Sequence, residues 1–244
     1  MTGLVGRRIA ITRPDAGDLG ARLGALGATV VHVPLIEIDE PADGGRALRD
    51  ALARLDTFQW LVVTSANGAR RVGAAARRHP SLRLAAVGPI SAATLADGAD
   101  RPVDLVATVA RAEGLIAEFP SVPADVLVAQ ADRARPLLVD GLAAMGHRVE
   151  SVVAYRTVSR RPDAAEAEQL AAADAVVFAS GSAALGWVDG LGTAAPGVVV
   201  ALGPVTASVA RAAGLVVTHV ATSPDSTALI DTLTAALAPL HPSV

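Results

Sequence analysis

Short, uninterrupted apolar runs recur along the chain and alternate with helical patterns rich in Ala, Leu and Arg. Most are continuous Val/Ile/Leu/Ala runs, which are typical of parallel strands covered on both faces. Ten strands with interleaved helices predict two doubly wound α/β domains. The predicted strands are Arg8–Thr12, Thr29–Pro34, Trp60–Thr64, Leu84–Val87, Asp104–Ala107, Val126–Gln130, Val149–Ala154, Ala175–Ala179, Val198–Leu202 and Leu215–Val220. The predicted helices include Asp18–Leu26, Gly44–Leu55, Gly68–Arg78, Ala134–Met145 and Ala164–Ala172.

The chain also contains an internal repeat. LVVTSANGAR matches AVVFASGSAA, so that Ser65 corresponds to Ser180, and AAVGPISAATL matches VALGPVTASVA, so that Gly88 corresponds to Gly203. Both offsets are 115 residues. A constant offset over several segments indicates a duplicated unit. Each unit carries about five strands, which fill one flavodoxin-like parallel sheet.

Two segments, VVHVPLIEIDEP and VESVVAYRTVSRRP, are extended over about a dozen residues, more than an ordinary parallel strand needs. We expect each of them to leave one domain and enter the other, and the two to pair as a two-stranded connector. The first domain is then discontinuous, because it is built from both ends of the chain.

The composition excludes several classes of protein. With 244 residues, 52% hydrophobic and 18% charged, the chain is long enough for two domains and is neither disordered nor a coiled coil. The absence of cysteine and lysine excludes a thiolate metal site, a thiol nucleophile, Schiff-base chemistry and a P-loop. The net charge of −3, without a basic stripe, argues against nucleic-acid binding. The five histidines lack metal-ligand spacing, so we expect no metal.

No membrane span is expected, although the mean hydropathy is +0.44. The most apolar stretch, 197–221, contains Gly203-Pro204, Arg211, Gly214 and His219, and is typical of a strand, a turn, a helix and a second strand. The N-terminus has no apolar segment of signal-peptide length before Asp15. We therefore expect a soluble cytoplasmic protein, and the lack of an obvious apolar patch favours a monomer.

Four predicted strands end in matching polar turns, each of which opens a predicted helix. Ligands of open parallel sheets bind outside the carboxyl ends of the strands, and helix N-termini offer unpaired N–H groups to carboxylates or phosphates. Helix capping is the better explanation of any single turn, whereas the duplicated set favours anion binding. The turns are Thr64-Ser65-Ala66-Asn67, Gly88-Pro89-Ile90-Ser91, Ser180-Gly181-Ser182 and Gly203-Pro204-Val205-Thr206.

Two further side chains are candidates for the site. Arg13 follows the first strand and is either a bidentate anion ligand or an ordinary surface arginine. Tyr155 is the only tyrosine and lies in the second extended segment. It either packs as a strand residue or acts as a hydrogen-bond donor or weak acid.

The ordered series ITRP, VHVPLIEI, TSANG, AVGPISAATL, AYRT, VVFASGSA and ALGPVTASVA resembles the uroporphyrinogen-III synthase family over essentially the whole chain. The resemblance implies two flavodoxin-like doubly wound parallel-sheet domains, joined by a two-stranded connector, with the active site in the cleft between them. It implies a first domain of 1–34 plus 158–244, a second of 40–152, and a connector of 35–39 and 153–157.

The resemblance also implies a reaction. The family cyclises hydroxymethylbilane, a linear tetrapyrrole with eight carboxylates, to uroporphyrinogen III, with inversion of ring D and loss of water. It uses no metal and no organic cofactor. A pyrrole nitrogen itself expels the hydroxyl, so the enzyme's main task is to fold a flexible substrate, by proximity and orientation.

By motif match, the implied catalytic residues are Tyr155, which assists departure of the hydroxyl, and Thr206, the hydroxyl residue of the GPxTA turn. The implied substrate-binding residues offer backbone or side-chain donors to the carboxylates: Arg13, Ser65, Asn67, Ser91, Ser180, Gly181, Ser182, Gly203 and Val205. At Gln130, Ala131 and Asp132 the chain departs from many relatives, which have arginine or glycine there. The sequence assigns this turn no role.

A non-catalytic hypothesis explains the same pattern. A two-domain cytoplasmic binding protein or sensor that closes on an anionic small molecule would have the same fold and the same duplicated turns. The two hypotheses differ only in whether the ligand is converted.

Overall fold

The computed structural model describes residues 4–238. The chain divides into two compact units, and the first consists of Met1–Glu37 and Val158–Val244 while the second is Ile38–Thr157. The extreme ends of the predicted first domain, 1–3 and 239–244, lie outside the described residues, as does His241.

Unit 1 contains a five-stranded, all-parallel sheet in the order β11-β10-β9-β1-β2. Its strands are β1 (Arg8–Ile11), β2 (Thr29–His32), β9 (Ala175–Phe178), β10 (Val198–Ala201) and β11 (His219–Val220). Its helices are α1 (Gly17–Ala25), α7 (Ala164–Ala171), α8 (Gly181–Leu191), α9 (Pro204–Ala212) and α10 (Ser226–Ala236). Apolar side chains are buried on both faces of this sheet, which explains the continuous apolar runs.

Unit 2 contains most of a six-stranded sheet in the order β3-β8-β7-β4-β5-β6. Its strands are β3 (Ile36–Asp39), β4 (Trp60–Val63), β5 (Arg83–Ala86), β6 (Leu105–Val106), β7 (Asp125–Ala131) and β8 (Arg148–Ser159). Its helices are α2 (Arg46–Leu52), α3 (Ala66–Ala76), α4 (Pro89–Ala99), α5 (Ala112–Glu118) and α6 (Leu137–Ala144), and a 3-10 turn covers Leu55–Thr57. One core lies under α2, α3 and α4, and another under α5 and α6.

The order of the strands shows how the internal repeat is distributed. In unit 1 the five strands, taken along the chain, have the flavodoxin-like order 2-1-3-4-5. Unit 2 gives the same order when its count begins at β7. The first two strands of each repeat therefore join a sheet with the last three strands of the other repeat. The predicted fold class is confirmed.

The predicted strands are all present, with ends that differ by a few residues. The sequence prediction missed β3 as a separate strand, because VVHVPLIEI was taken as one extended segment. Pro34 lies between β2 and β3 and has no N–H for a strand ladder, which separates the two. The predicted connector segments fall on β3 and on the last part of β8, which are neighbours in the six-stranded sheet.

Helices α3 and α4 pack closely through a pair of glycines. A Cβ built on Gly73 would lie 2.9 Å from the Cα of Gly98, a separation that real Cβ atoms do not tolerate. This close approach fixes the two helices against each other, and both begin at the carboxyl edge of the unit 2 sheet, the edge where its parallel strands end. The pair thus positions two of the predicted anion-binding turns.

Candidate active site

Tyr155 lies on β8 next to a β-bulge. Gln130 of β7 pairs with Val153, but Ala131 pairs with Tyr155, so that Ala154 is an extra residue in β8. Ala154 and Tyr155 are consequently buried in the same core, under α2, α3 and α4, although side chains of adjacent strand residues normally point to opposite faces. The bulge therefore brings the phenol to the face on which α3 begins.

The hydroxyl of Tyr155 contacts the N-cap of α3. Its oxygen lies 2.9 Å from Oγ of Ser65, and the tyrosine is only 7% exposed. Ser65 Oγ also accepts a hydrogen bond of 3.1 Å from the backbone N–H of Gly68, as an N-cap side chain does. Ser65 therefore connects the only tyrosine of the chain to the positive end of a helix.

The turn that the sequence left without a role supports the strand at Tyr155. The backbone N–H of Asp132 donates to the carbonyl of Tyr155 at 3.0 Å, and the Asp132 carboxylate accepts from the N–H of Thr157 at 3.4 Å. The Gln130 side chain is turned to the neighbouring strand and donates to Ser151 Oγ at 2.9 Å. This turn thus holds β8 on both sides of the bulge.

Ser91 and Thr206 occupy equivalent positions in the two units. Each is the third residue of its helix, α4 or α9, and each follows a glycine N-cap and a proline. Both residues are 8% exposed, yet within residues 4–238 neither hydroxyl has a hydrogen-bond partner, and neither oxygen is fully buried. The two hydroxyls are therefore available to a ligand at the carboxyl edge of each sheet.

Apart from Arg13, the other predicted binding residues of unit 1 lie at the starts of α8 and α9. Ser180 caps α8 by accepting from the N–H of Ala183 at 3.2 Å. A Cβ on Gly181 would meet Val209 of α9 at 2.9 Å, so this glycine is required by packing. At Gly203 a Cβ would meet no atom of the described residues within 4 Å. Val205 is 74% exposed.

The four predicted turns do begin four helices, as the sequence analysis expected. Asn67 and Ser182 are the second residues of α3 and α8, and the side-chain oxygen Oδ1 of Asn67 accepts from Arg70 Nη1 at 2.8 Å. Tyr155 and Ser65 lie together in unit 2, with Asn67 and Ser91, whereas Thr206 and the remaining predicted residues belong to unit 1. The sequence listed Tyr155 and Ser65 separately and missed their contact.

Arg13 is bound within its own turn. Its Nη2 donates to the carbonyl of Ala16 at 2.6 Å, at the start of α1, and its Nε is buried with no hydrogen-bond partner among the described residues. Arg13 therefore follows β1, as predicted, but its side chain is bonded to the start of α1.

An ion pair joins β3 to β8 next to Tyr155. Arg156 donates two hydrogen bonds, from Nε and Nη2, to one carboxylate oxygen of Asp39, at 3.1 and 2.6 Å. The hydrogen bonds from Arg156 lower the pKa of Asp39 below its usual value, and the backbone N–H of Glu40 acts in the same direction.

A cavity of about 290 Å³ lies at the carboxyl edge of unit 2 and was not predicted from the sequence. It is lined by Thr64, Val87, Ala110, Arg111, Ala112, Gln130, Ala134, Arg135, Leu137 and Leu138. The two arginines in ARAEG and ADRARP carried the only charge signal that could have pointed to it.

Two kinds of feature are absent from residues 4–238. No cluster of three or more His, Asp or Glu side chains is arranged to hold a metal ion. No helix in the same range combines the length and apolar character that crossing a membrane requires.

Comparison with known proteins decides the family. The family model described as uroporphyrinogen-III synthase HemD matches residues 17–231. The chain belongs to the uroporphyrinogen-III synthase family. The resemblance stated from the sequence motifs is confirmed, and the family is one of cyclising lyases of tetrapyrrole biosynthesis.

Individual relatives agree with this family. Uroporphyrinogen-III synthase of Synechococcus elongatus is 31% identical over 173 residues, which cover 66% of this chain and 65% of that protein, just under two-thirds of its length. In fold, the chain is similar to uroporphyrinogen-III synthetase of Helicobacter pylori, with a TM-score of 0.66 and 18% identity over 95% of this chain and 99% of that one. A mutant uroporphyrinogen III synthase of Thermus thermophilus gives a TM-score of 0.63, also with 18% identity, over the same shares of the two chains.

Proposed function

We propose that the protein cyclises hydroxymethylbilane to uroporphyrinogen III, with inversion of ring D and release of water. The observation that carries the proposal is the buried phenol of Tyr155, held 2.9 Å from the Ser65 hydroxyl, in a chain that belongs to the uroporphyrinogen-III synthase family. This hydroxyl pair offers a proton beside a helix N-terminus without a strong acid or base.

The proposed chemistry makes modest demands on the protein. The lone pair of a pyrrole nitrogen expels the hydroxyl of the bilane, and the leaving oxygen takes the phenol proton of Tyr155 and departs as water. The substituted position of ring D attacks the resulting azafulvene and gives a spiro intermediate. The bond from that carbon to the methylene of ring C then breaks, and this methylene is attacked by the free α position of ring D, which inverts the ring. The proton lost from that position restores the phenol of Tyr155. Holding the bilane in position for this attack is catalysis by orientation, which can lower the reaction barrier by about 7–11 kcal/mol.

Ser65 is proposed to orient the phenol proton of Tyr155. One lone pair of its oxygen accepts the N–H of Gly68, and we propose that its own proton is donated to the phenol oxygen of Tyr155. The phenol proton then points away from Ser65, toward the leaving hydroxyl. Hydrogen bonds in such a chain polarise one another, which makes the last proton easier to donate.

The substrate carboxylates are proposed to bind the helix N-termini of both units. The turns at Ser65, Ser91, Ser180 and Gly203 each begin a helix, and each leaves N–H groups of the first turn without a helical partner. Arg13, Asn67, Gly181, Ser182 and Val205 are proposed to complete these contacts, and Thr206 to add its hydroxyl.

A product assay tests the proposal. Hydroxymethylbilane is generated in situ, the purified protein is added, and the products are oxidised and separated as porphyrin isomers I and III. We expect isomer III to replace isomer I, which is the expected product of spontaneous closure. A folded protein that leaves isomer I in excess contradicts the proposal and favours the non-catalytic binding protein. The monomeric state and cytoplasmic location stay predictions, and light scattering tests the first.

A further inference from the structure

The cavity at the carboxyl edge of unit 2 is lined by positive charges, which favour the binding of an anion. Among residues 4–238, its only ionisable lining residues are Arg111 and Arg135, and no acidic side chain from that range lines it. Ten other arginines form ion pairs within residues 4–238, but these two form neither an ion pair nor a side-chain hydrogen bond there. The cavity therefore carries two uncompensated positive charges in a chain whose net charge is −3.

The backbone on both sides of the cavity is well fixed. Arg111 is the N-cap residue of α5, and its loop packs so closely on that helix that a Cβ on Gly114 would collide with the carbonyl of Val109. The same loop touches the start of α4, because a Cβ on Gly88 would lie 3.2 Å from Ala110. Arg135 lies immediately before the proline that begins α6. The arginines thus extend from positions that two packed helices define.

We propose that Arg111 and Arg135 bind carboxylate arms of the substrate, those of a single pyrrole ring. This inference rests on the proposed function. A guanidinium is the group best matched to a carboxylate, because it donates two parallel hydrogen bonds. The volume of about 290 Å³ lies at the lower limit for small-molecule pockets, so the cavity admits side arms and not a whole tetrapyrrole.

The cavity also lies next to the hydroxyl pair along the chain. Thr64, which lines it, precedes Ser65, and Gln130, which also lines it, precedes Ala131, the residue that pairs with Tyr155. A ring anchored by its acid arms at Arg111 and Arg135 is therefore held at the sheet edge that also carries the proposed acid.

The kinetic test uses R111Q, R135Q and the double variant. We expect each single substitution to raise KM for hydroxymethylbilane about tenfold and to leave kcat within about twofold, since binding is lost equally from ground and transition states. R46Q/R161Q is the matched control. It also removes two exposed arginines that form no ion pair among the described residues, and we expect it to retain the wild-type KM. A wild-type KM in the double variant overturns the proposal.

A binding test needs no turnover. In ¹⁵N-labelled wild-type protein, the side-chain Nε–H resonances of Arg111 and Arg135 are identified by their loss in the single variants. Mellitate, a benzene ring with six carboxylates, is titrated in, with inorganic phosphate at equal ionic strength as the comparison. We expect mellitate to shift both resonances at much lower concentration. Equal responses to mellitate and phosphate, or none, overturn the inference.

The two tests separate this inference from the proposed function. If wild-type protein fails to produce isomer III, the proposed function fails, and the mellitate titration alone decides whether the cavity binds carboxylates. If isomer III forms, KM of the double variant decides whether those carboxylates belong to the substrate.

Discussion

The phenol oxygen of Tyr155 lies 2.9 Å from the hydroxyl oxygen of Ser65, across 90 residues of sequence. Ser65 is also the N-cap of α3, because its oxygen accepts a hydrogen bond from the N–H of Gly68. A substitution at Ser65 therefore changes two things, helix stability and the position of the tyrosine, and experiments must separate them.

Substitution of Ser65 by alanine should lower both stability and turnover. Loss of an N-cap costs about 1 kcal/mol of unfolding free energy. Loss of the hydrogen bond to Tyr155 should lower kcat about fivefold, the effect of one ordinary hydrogen bond. Since the chain has one tyrosine, a ¹³Cζ-tyrosine label gives a single NMR resonance, which should shift in S65A.

The positioning role is separated from capping by two comparisons. D163A removes the N-cap of α7, a matched cap loss outside the proposed site, and should leave kcat and the Tyr155 resonance unchanged. In a Y155F background, S65A should cost no further kcat, because the partner hydroxyl is already gone. An equal loss of kcat in both backgrounds would show that Ser65 acts independently of Tyr155.

Tyr155→Phe should reduce kcat about tenfold while the protein stays folded. The ring remains in the core under α3, and only the hydroxyl is removed. The pyrrole nitrogen still expels the hydroxyl of the bilane, so activity should be slowed and not abolished. Single-turnover kinetics with urea unfolding as the stability control measure both effects, and full activity would exclude Tyr155 as the proton donor.

Local pattern was enough to predict the α/β class, the strands other than β3 and the four helix starts. Continuous apolar runs and turn residues act over a few neighbours, so the sequence carries them directly. The Tyr155–Ser65 contact depends on something else, a bulge in which Ala131 skips Ala154 and pairs with Tyr155. In a regular strand Tyr155 would face away from Ala154, and no local pattern reports a register shift between two strands.

The cavity arginines were missed for a related reason. Arg111 and Arg135 are 24 residues apart and look like any surface arginines of an arginine-rich chain. Their significance comes from two features of the folded unit: they line one cavity, and no carboxylate pairs with them among the described residues. Both features are tertiary.

Thr206→Val should lower kcat/KM about tenfold without destabilising the protein. Valine keeps the shape of the buried residue, and no hydrogen bond within residues 4–238 is lost. Ser91→Ala is the equivalent change in unit 2 and should act in the same direction. S208A, an exposed hydroxyl on the same helix as Thr206, is the control. If T206V matches S208A in kcat/KM, the Thr206 hydroxyl does not contact the substrate.

Two glycine substitutions should separate an effect on substrate binding from an effect on helix packing. In Gly203→Ala the new methyl group meets no atom of residues 4–238 within 4 Å, so the substitution should cost under about 1 kcal/mol of unfolding free energy. The methyl group would, however, obstruct a carboxylate at the helix start and raise KM. Gly181→Ala meets Val209 at 2.9 Å and should cost about 1–3 kcal/mol of unfolding free energy. Urea unfolding and KM are measured for both, and a wild-type KM in G203A would remove this turn from the substrate site.

The ion pair between Asp39 and Arg156 should make stability depend on acid pH. Hydrogen bonds from Arg156 lower the pKa of Asp39 in the folded protein, so the pair stabilises the fold above the unfolded pKa of about 4 and loses its effect as pH falls through the lower, folded value.

Asp39→Asn tests this dependence directly. Wild-type protein should be more stable than D39N at pH 7, and the difference should shrink as the pH is lowered from about 4. Urea unfolding of the two proteins at a series of pH values measures this difference. D56N removes an acid that forms no ion pair with any described residue, and it controls for the change in net charge. A difference that stays constant down to pH 2 would mean that the Asp39 carboxylate contributes through shape and not through its charge. Because Arg156 adjoins Tyr155, a loss confirmed here would also predict that acid loosens the strand that carries the proposed proton donor.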